Sequence, residues 1–390
     1  MAKNPRDAVI VALGRSAVTK GRRGELAQTH PIEFAGQVLQ GVLAKVPQLD
    51  PDEIDEVVYG CTNLTGYQSY DIAKMIAVRA GLPARVPACT ISRFCISGSD
   101  AVSIAATKIM AGMADVCIAG GVESMSLVPQ PTPETRMDYK WLEENIDRDI
   151  YLHVGLCAEN EAKAHGITRE DVDRLTCESH RRAAAAQKAG KFDDEIIPVT
   201  VRDPEGGDIV VTKDGGIREN TSMEALATLK PFFDPDGVVT AAGSSQVSDG
   251  TGAMVVMARE KAEALGLAPI ARFVCYEAGC GSPAYLAPGV IDSIERVKKR
   301  CGLDIRDMDV IEINEAFAPV VIAVCRHYDL DPAKVNPNGS AMALGHPLGA
   351  TGIFLACKAI SELKRTGGRY GMVTMCAAIG QGGCAIYEIE

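Results

Sequence analysis

Two segments of this chain repeat one pattern, and the repeat is the strongest constraint on its fold. "EIDEVVYGCT" (53–62) and "DMDVIEINEA" (307–316) each place an acid, a hydrophobe and Asp before a β-branched run. After each come a loop of nearly equal length, a short turn, an Ala-rich stretch and a further β run. The turns are "CISG", which begins at Cys95, and "HPLG", which begins at His346. The sequence therefore predicts two related halves.

Short β-branched runs alternate with longer amphipathic stretches along the whole chain. "AVIVALG" (8–14) and "DVCIAGG" (115–121) are typical of strands, whereas "DAVSIAATKIMAG" (100–112) is typical of a helix. Such alternation indicates the α/β class, with βα units around a largely parallel sheet. At 390 residues the chain is also too long for a single ordinary core.

A region of different composition separates the halves. It is rich in Pro, Met and polar residues, and a long helix is predicted to begin in it near Thr168. We expect this region to lie over the first half as an insertion, near the strand ends where ligands gather. The predicted domains are a first half (1–121 and 248–268), an inserted loop domain (122–247) and a second half (269–390).

Charge and cysteine content exclude several classes of partner. The net charge of −11 argues against binding to nucleic acid, which requires clustered Lys and Arg. No apolar run nears the ~20 residues of a membrane span, and the first residues lack a signal-peptide pattern, so we expect a cytoplasmic protein without membrane contact. The 13 cysteines contain no C-x-x-C pair and the six histidines show no ligand spacing, so no metal site is expected.

Cys95 and His346 are the first candidate catalytic pair. Cys95 lies on a predicted strand-to-helix turn, where the positive end of the helix dipole lowers a thiol pKa. His346 stands among glycines in "ALGHPLGATG", which favours close approach of a ligand. If the halves pack as pseudo-symmetric partners, His346 activates the Cys95 thiol as a base. The alternatives are a buried structural cysteine and a helix-capping or core histidine.

Asn314 and Cys376 are further candidates. Asn314 begins "NEAFA" at the carboxyl end of a predicted strand, where an amide can orient a water or donate to an oxyanion. An Asx turn or a helix cap explains Asn314 equally well from local sequence. Cys376 ends the run "YGMVTMC" before the glycine-containing "AAIGQGG", and its alternative is a buried strand cysteine.

With these residues in place, the chain resembles the thiolase family from end to end. The motifs that carry the resemblance are "ISRFCISGSDAVSIAA", "GGVESMS", "LCAEN", "SSQVSDG", "NEAFA", "NPNGSAMALGHPLGATG" and "CAAIGQGG". The resemblance implies a thiolase-like fold of two related βαβαβαββ halves packed in αβαβα layers, with a loop domain inserted into the first half.

The resemblance also implies the roles of the candidate residues. Cys95 is the nucleophile that carries the acyl group as a thioester, and His346 activates it and holds the thioester oxygen. Cys376 is the acid and base for the acetyl-CoA enolate and the incoming CoA thiol. Asn314 positions a water in the first oxyanion site, and the N–H groups of Cys95 and Ala378 form the second. Coenzyme A and acyl-CoA are then substrates, and no bound cofactor is expected.

Weaker resemblances point to the contacts with coenzyme A and substrate. Arg218 is expected at a phosphate or the adenine, Ser245 at the pantetheine, and His153 near the acyl and pantetheine tunnel. Val154 and Phe317 complete the expected substrate contacts.

Several positions depart from the family pattern. Ala378 replaces the usual glycine, which disturbs the second oxyanion site if the backbone there requires a positive φ. "GSPAYLAPGV" (281–290) replaces a Met-Gly-containing loop, and Val154 stands where short-chain members often have Met. We therefore expect a pocket unlike that of acetoacetyl-CoA enzymes, with a wall formed by Val154 and residues 285–288.

The segments "KGRRGELAQTHPIEF" and "SSQVSDG" favour a degradative 3-ketoacyl-CoA thiolase, that is, an acetyl-CoA C-acyltransferase that cleaves 3-ketoacyl-CoA with CoA. An acetyl-CoA C-acetyltransferase is the alternative. A decarboxylating ketosynthase-like enzyme and a non-catalytic acyl-CoA-binding homologue are less favoured. Family members generally form homodimers or homotetramers, so a homo-oligomer is expected.

Overall fold

The structure is a computed structural model that describes residues 3–130, 138, 140, 148–203 and 206–390. Within these ranges, no helix combines the length and apolarity needed to cross a membrane. Parts of the predicted inserted loop domain, around residues 131–147, lie outside the described residues.

The described residues form twelve strands and eleven helices. The strands are β1 (Ala8–Arg15), β2 (Thr19–Lys20), β3 (Glu56–Gly60), β4 (Ala88–Ile91), β5 (Val116–Ser124), β6 (Val199–Arg202), β7 (Asp208–Val211), β8 (Ser248–Ala258), β9 (Ala271–Cys280), β10 (Val310–Ile313), β11 (Tyr370–Ala377) and β12 (Gln381–Glu388). The helices are α1 (Pro31–Leu43), α2 (Ile72–Arg79), α3 (Ser97–Met110), α4 (Val154–Ala164), α5 (Arg169–Lys188), α6 (Met223–Ala227), α7 (Arg259–Ala264), α8 (Ala287–Cys301), α9 (Ala318–Tyr328), α10 (Ala341–Leu344) and α11 (Thr351–Thr366).

The large sheet is mixed, so the prediction of a largely parallel sheet was wrong. Its order is β10-β11-β12-β9-β1-β8-β5-β3-β4, and β2 pairs with β8. Only β3–β4, β3–β5 and β10–β11 are parallel among its described pairings. A tight turn joins β11 to β12, and such a connection requires antiparallel strands, whereas parallel pairs need a crossover. β8 runs antiparallel to both β1 and β5.

The two halves pack against each other through α3 and α11, as the repeat predicts. A Cβ added to Gly352 would lie 2.3 Å from the backbone nitrogen of Ser99, and one added to Gly98 would lie 2.9 Å from the carbonyl oxygen of Gly349. Because no side chain fits between them, the turns that carry Cys95 and His346 lie in direct backbone contact. The αβαβα layering is confirmed: α3 and α11 lie between the strands of the two halves, with α1 and α8 on the outer faces.

The inserted region contacts the second half as well as the first, over which we expected it to lie. α4 and α5 pack on α9, and α5 also packs on α10, all in the second half, whereas β6 lies against α1 of the first half. The apolar faces of these helices meet in one core, which includes Cys157, Val172 and Val321. α5 begins after a capping box of Thr168 and Asp171, so its predicted start is confirmed. The predicted domain bounds stay a prediction.

Candidate active site

A cavity of about 620 Å³ brings Cys95, His346 and Cys376 together from separate elements. Cys95 lies two residues before α3, His346 lies five residues before α11, and Cys376 lies near the end of β11. The other predicted site residues that line the cavity are His153, Val154, Arg218, Ser245, Phe317 and Ala378. Residues distant in sequence therefore form one site at the junction of the halves.

The hydrogen bonds of the His346 ring determine its tautomer. Nδ1 lies 2.6 Å from Thr351 Oγ1, and this hydroxyl donates its single proton to the carbonyl oxygen of Pro347 at 2.9 Å. The hydroxyl must therefore accept from Nδ1–H, since it has no second proton to give. Nε2 is left with its lone pair, as a base requires.

Asn314 contacts this ring and is not part of the cavity wall. Its Nδ2 lies 3.3 Å from His346 Nε2, and the tautomer requires the amide to be the donor. The amide is fully buried, and its Oδ1 has no hydrogen-bond partner in the described part of the chain. Asn314 and Ser340, whose Oγ also lacks a described partner, line a separate void of about 10 Å³.

The thiols of Cys95 and Cys376 and the imidazole of His346 are neutral in the free protein. Burial, followed by the neighbouring Cys376 and Glu123, raises the pKa of Cys95, so the expected lowering by the helix start was wrong for the free protein. Burial raises the pKa of Cys376 to about 12 and lowers the pKa of His346 to about 3. Desolvation is the largest cause of all three shifts, and it disfavours the charged form of each group.

Two supporting residues were missed by the sequence analysis, although both lie in motifs that it singled out. Thr351 belongs to "HPLGATG" and Glu123 to "GGVESMS". The buried Glu123 carboxylate accepts from the backbone N–H of Thr62 at 2.9 Å and of Gly349 at 2.8 Å. It therefore attaches the turn that carries His346 to the first half.

The backbone near Ala378 resolves the question raised by the missing glycine. Ala378 does not have a positive φ; the left-handed conformations follow it, at Ile379 (φ 65°) and Gly380 (φ 68°). Phe94, directly before Cys95, is also left-handed at φ 48°. Such conformations are unfavourable for a β-branched or bulky side chain. Both cysteines of the site thus have a strained residue nearby in the chain.

One wall of the cavity is shaped by α4. Asn160 Nδ2 donates to the carbonyl oxygen of Ala284 at 3.1 Å, and Glu161 Oε2 accepts from the N–H groups of Leu286 at 3.2 Å and Ala287 at 3.1 Å. Of the expected wall residues 285–288, only Leu286 lines the cavity, alongside Val154. The α4 contacts fix the loop, so the Leu286 side chain has a defined place.

Aromatic rings also line the cavity. Phe233 stands edge-on to Phe317, with ring centroids 5.7 Å apart, and it lies 5.3 Å from the His153 ring. Phe233 was not among the sequence candidates. Its partners His153 and Phe317 were, so the sequence located this wall without its central ring.

Comparison with known proteins identifies the family of this fold and site. The family models described as "Thiolase, N-terminal domain" and "Thiolase, C-terminal domain" match residues 8–260 and 267–389. The chain is 41% identical to the 3-ketoacyl-CoA thiolase of Bacillus subtilis over 392 residues, which cover 98% of this chain and 100% of that protein. It is 39% identical to the beta-ketothiolase BktB of Cupriavidus necator, over 98% of this chain and 99% of that one.

A solved structure agrees with these relatives. The acetyl-CoA acetyltransferase of Bacillus anthracis superposes with a TM-score of 0.90 at 36% sequence identity, over 98% of this chain and 99% of that one. Matched family domains, relatives of full length and the shared fold lead to one conclusion. The chain belongs to the thiolase family and is an acyltransferase of the thiolase type.

Proposed function

We propose that this enzyme is an acetyl-CoA C-acyltransferase that cleaves 3-ketoacyl-CoA with CoA to acetyl-CoA and a shortened acyl-CoA. The observation that carries the proposal is the single cavity lined by Cys95, His346 and Cys376. Cleavage of a C–C bond beside a thioester requires a nucleophile with its base, together with a second acid for the departing enolate. Two thiols and one imidazole fill these roles, and the reaction calls for no bound cofactor.

In the first half-reaction, His346 Nε2 takes the proton of Cys95, and Sγ attacks the 3-keto carbon. The C2–C3 bond then breaks, leaving the acyl group on Cys95 as a thioester and the electron pair on the acetyl-CoA enolate. Cys376 protonates the enolate carbon. Once Nε2 carries a proton it no longer accepts from Asn314, so the Asn314 amide is free to hold the water of the first oxyanion site.

In the second half-reaction, the Cys376 thiolate takes the proton of the CoA thiol. The CoA sulfur attacks the acyl carbon, and Cys95 leaves and regains its proton from His346. The N–H groups of Cys95 and Ala378 are proposed to stabilise the enolate oxygen. The negative charge moves among sulfur atoms and aimed donors, which stabilise it as it develops.

Substrates longer than acetoacetyl-CoA are favoured by the cavity walls. Val154, Phe233, Leu286 and Phe317 present apolar surface on the acyl side, and about 0.8 kcal/mol is gained for each methylene that they bury. We therefore place the reaction in fatty acid degradation by β-oxidation and take acetyl-CoA C-acetyltransferase activity as the lesser one.

The test is a ladder of 3-ketoacyl-CoA substrates from four to sixteen carbons with purified enzyme and CoA. We expect kcat/KM to rise beyond the four-carbon substrate. Mass spectrometry should detect the acyl adduct on Cys95 in the wild type and none in Cys95→Ala. Turnover restricted to acetoacetyl-CoA would contradict the proposed substrate class, and an adduct that persists in Cys95→Ala would contradict the nucleophile.

We also propose a homodimer or homotetramer and a cytoplasmic location. The outer edge of β4 has no partner strand in the described chain, and Leu64, Tyr67 and Tyr70 lie exposed after β3, the strand that pairs with β4, which supports pairing with a second copy. All thirteen cysteines are free thiols, as is usual in a reducing compartment. Light scattering on the purified protein measures the assembly, and a monomer would contradict it.

A further inference from the structure

We propose that Ser340 and Lys358 bind one buried water against Asn314 Oδ1, and that this water fixes the orientation of the Asn314 amide. The site is the void of about 10 Å³ that these residues line, which is separate from the cavity of Cys95. This water is distinct from the one proposed in the first oxyanion site. The inference rests on the proposed function, because it takes the Asn314 amide as a donor in that reaction.

Two buried oxygens that line the void have no hydrogen-bond partner in the described part of the chain. They are Asn314 Oδ1 and Ser340 Oγ, and both residues are at most 1% exposed. Buried polar atoms are nearly always paired, either with protein groups or with ordered water. An amide oxygen can only accept, whereas a hydroxyl can also donate, so one water is able to satisfy both groups.

The position of Ser340 in the chain leaves its hydroxyl available. Ser340 stands at the N-cap of α10, where a serine hydroxyl ordinarily accepts from a backbone N–H of the first turn. The Ser340 hydroxyl makes no such bond. The residue is held through its backbone, because its N–H donates to Ser179 Oγ at 3.2 Å. The side chain is therefore not required for the start of the helix.

Lys358 supplies a donor at the same place. It lines the void, is 3% exposed, and donates from Nζ to Glu312 Oε2 at 2.7 Å and to the carbonyl oxygen of Gly339. Gly339 directly precedes Ser340, and Glu312 lies two residues before Asn314, so both contacts hold the ammonium near the void. An ammonium has three N–H donors. Two are used within the described chain, and the third remains for a water.

The void has the size of a single water molecule. A buried water needs about 10–15 Å³ and two to four polar partners. The void provides about 10 Å³ and three such groups, so a larger ligand does not fit. The Ser340 hydroxyl and the Lys358 ammonium donate to the water, and the water donates to Asn314 Oδ1. Each group then makes a bond that its chemistry allows.

The water determines which end of the Asn314 amide faces His346. The ring tautomer requires Asn314 Nδ2 to be turned toward His346 Nε2, as observed at 3.3 Å. A donor behind Oδ1 favours this orientation over the flipped one, in which two acceptors would meet. The Lys358 charge also polarises the amide through the water and strengthens Nδ2–H as a donor. The amide is thus oriented before charge develops in the oxyanion site.

Kinetics of Ser340 variants test the positioning role. For Ser340→Ala we expect kcat of thiolysis to fall by about tenfold and KM for CoA to stay within about twofold. Ser340→Cys keeps a weaker donor and should give an intermediate kcat. Ser293→Ala removes a buried hydroxyl of α8 that donates to the carbonyl oxygen of Val290, and this matched control should keep the wild-type kcat.

A double-mutant cycle separates positioning from a general loss of packing. In the Asn314→Ala background, Ser340→Ala should change the residual kcat by less than about twofold, because the hydroxyl acts through the amide. Losses that multiply in the double variant would overturn the positioning role. An unchanged kcat in Ser340→Ala alone would overturn it as well.

High-resolution crystal structures test the water whether or not the enzyme cleaves 3-ketoacyl-CoA. In the wild type we expect one water within about 3.2 Å of Asn314 Oδ1, Ser340 Oγ and Lys358 Nζ. In Ser340→Ala the water should be lost and the Asn314 side chain should be less ordered. A wild type without this water, or an equally ordered Asn314 in the variant, would overturn the inference. Absence of thiolysis would instead refute the proposed function and leave this crystallographic test intact.

Discussion

His346 and Thr351 are joined by a hydrogen bond of 2.6 Å that fixes the tautomer of the imidazole. Because the Thr351 hydroxyl gives its proton to Pro347, it accepts from Nδ1–H, so Nε2 carries no proton and accepts from the Asn314 amide. The threonine does not line the cavity, so it acts as a positioning residue through the ring.

Replacing Thr351 tests this relationship. Thr351→Val keeps the shape but removes the acceptor, so both tautomers become accessible and kcat should fall by about 30-fold. Thr351→Ser retains the hydroxyl and should recover most of the activity. Steady-state kinetics across pH provide the measurement, with thermal melts to exclude unfolding. Equal activity of the Val and Ser variants would contradict the positioning role.

Cys376 is expected to be essential for thiolysis. Cys376→Ala removes the acid and base of both half-reactions, and kcat should fall by at least about a hundredfold. Cys384→Ala, which removes a buried thiol of β12 outside the cavity lining, is the matched control and should retain activity. Thiolysis that survives the loss of Cys376 would rule out the two-thiol mechanism.

Gly352 should tolerate no side chain. The Cβ of Gly352→Ala would lie 2.3 Å from the Ser99 nitrogen, so the backbones of the two turns must separate, at about 1–3 kcal/mol of the free energy of unfolding. Gly215→Ala is the control, because its nearest neighbour would lie 3.8 Å away. Urea denaturation and kcat measure both effects. If the two variants were equally stable, the close packing of the turns would be disproved.

Backbone strain at Ile379 is measurable with two variants. Ile379→Ala and Ile379→Gly both remove the isoleucine side chain, but only glycine adopts a φ of 65° without a steric cost. The glycine variant should therefore be more stable than the alanine variant by about 1 kcal/mol. Urea denaturation gives the difference, and an alanine variant as stable as the glycine variant would show that no strain is present.

His180 should make stability depend on pH. Its pKa is about 4 in the folded protein, against 6.5 when unperturbed. Between these values the unfolded state binds the proton and the folded state does not, so stability falls as pH falls. The free energy of unfolding of the wild type, relative to His180→Gln, should drop by about 1 kcal/mol per pH unit from pH 6.5 to 4. A difference that is constant with pH would contradict the shifted pKa.

Local sequence predicted much of the fold and the candidate site because their signals are short-range. The start of α5 is fixed by its capping box. The duplicated turns predicted that Cys95 and His346 lie in one site, and both line the same cavity. Sheet direction was missed, since β8 runs antiparallel to β1 and β5, which lie far from it in sequence. The pKa direction of Cys95 was missed as well, because desolvation depends on neighbours distant in sequence.

The sequence by itself determined the two related halves, the family and the residues able to do chemistry, because periodicity and motif spacing are properties of the chain. Only the tertiary structure decided the protonation state of each of these groups in the free protein. Burial keeps Cys95, Cys376 and His346 neutral, and the Thr351 hydroxyl selects the tautomer. Proton positions and desolvation follow from three-dimensional neighbours, so they exist only once the halves have packed together.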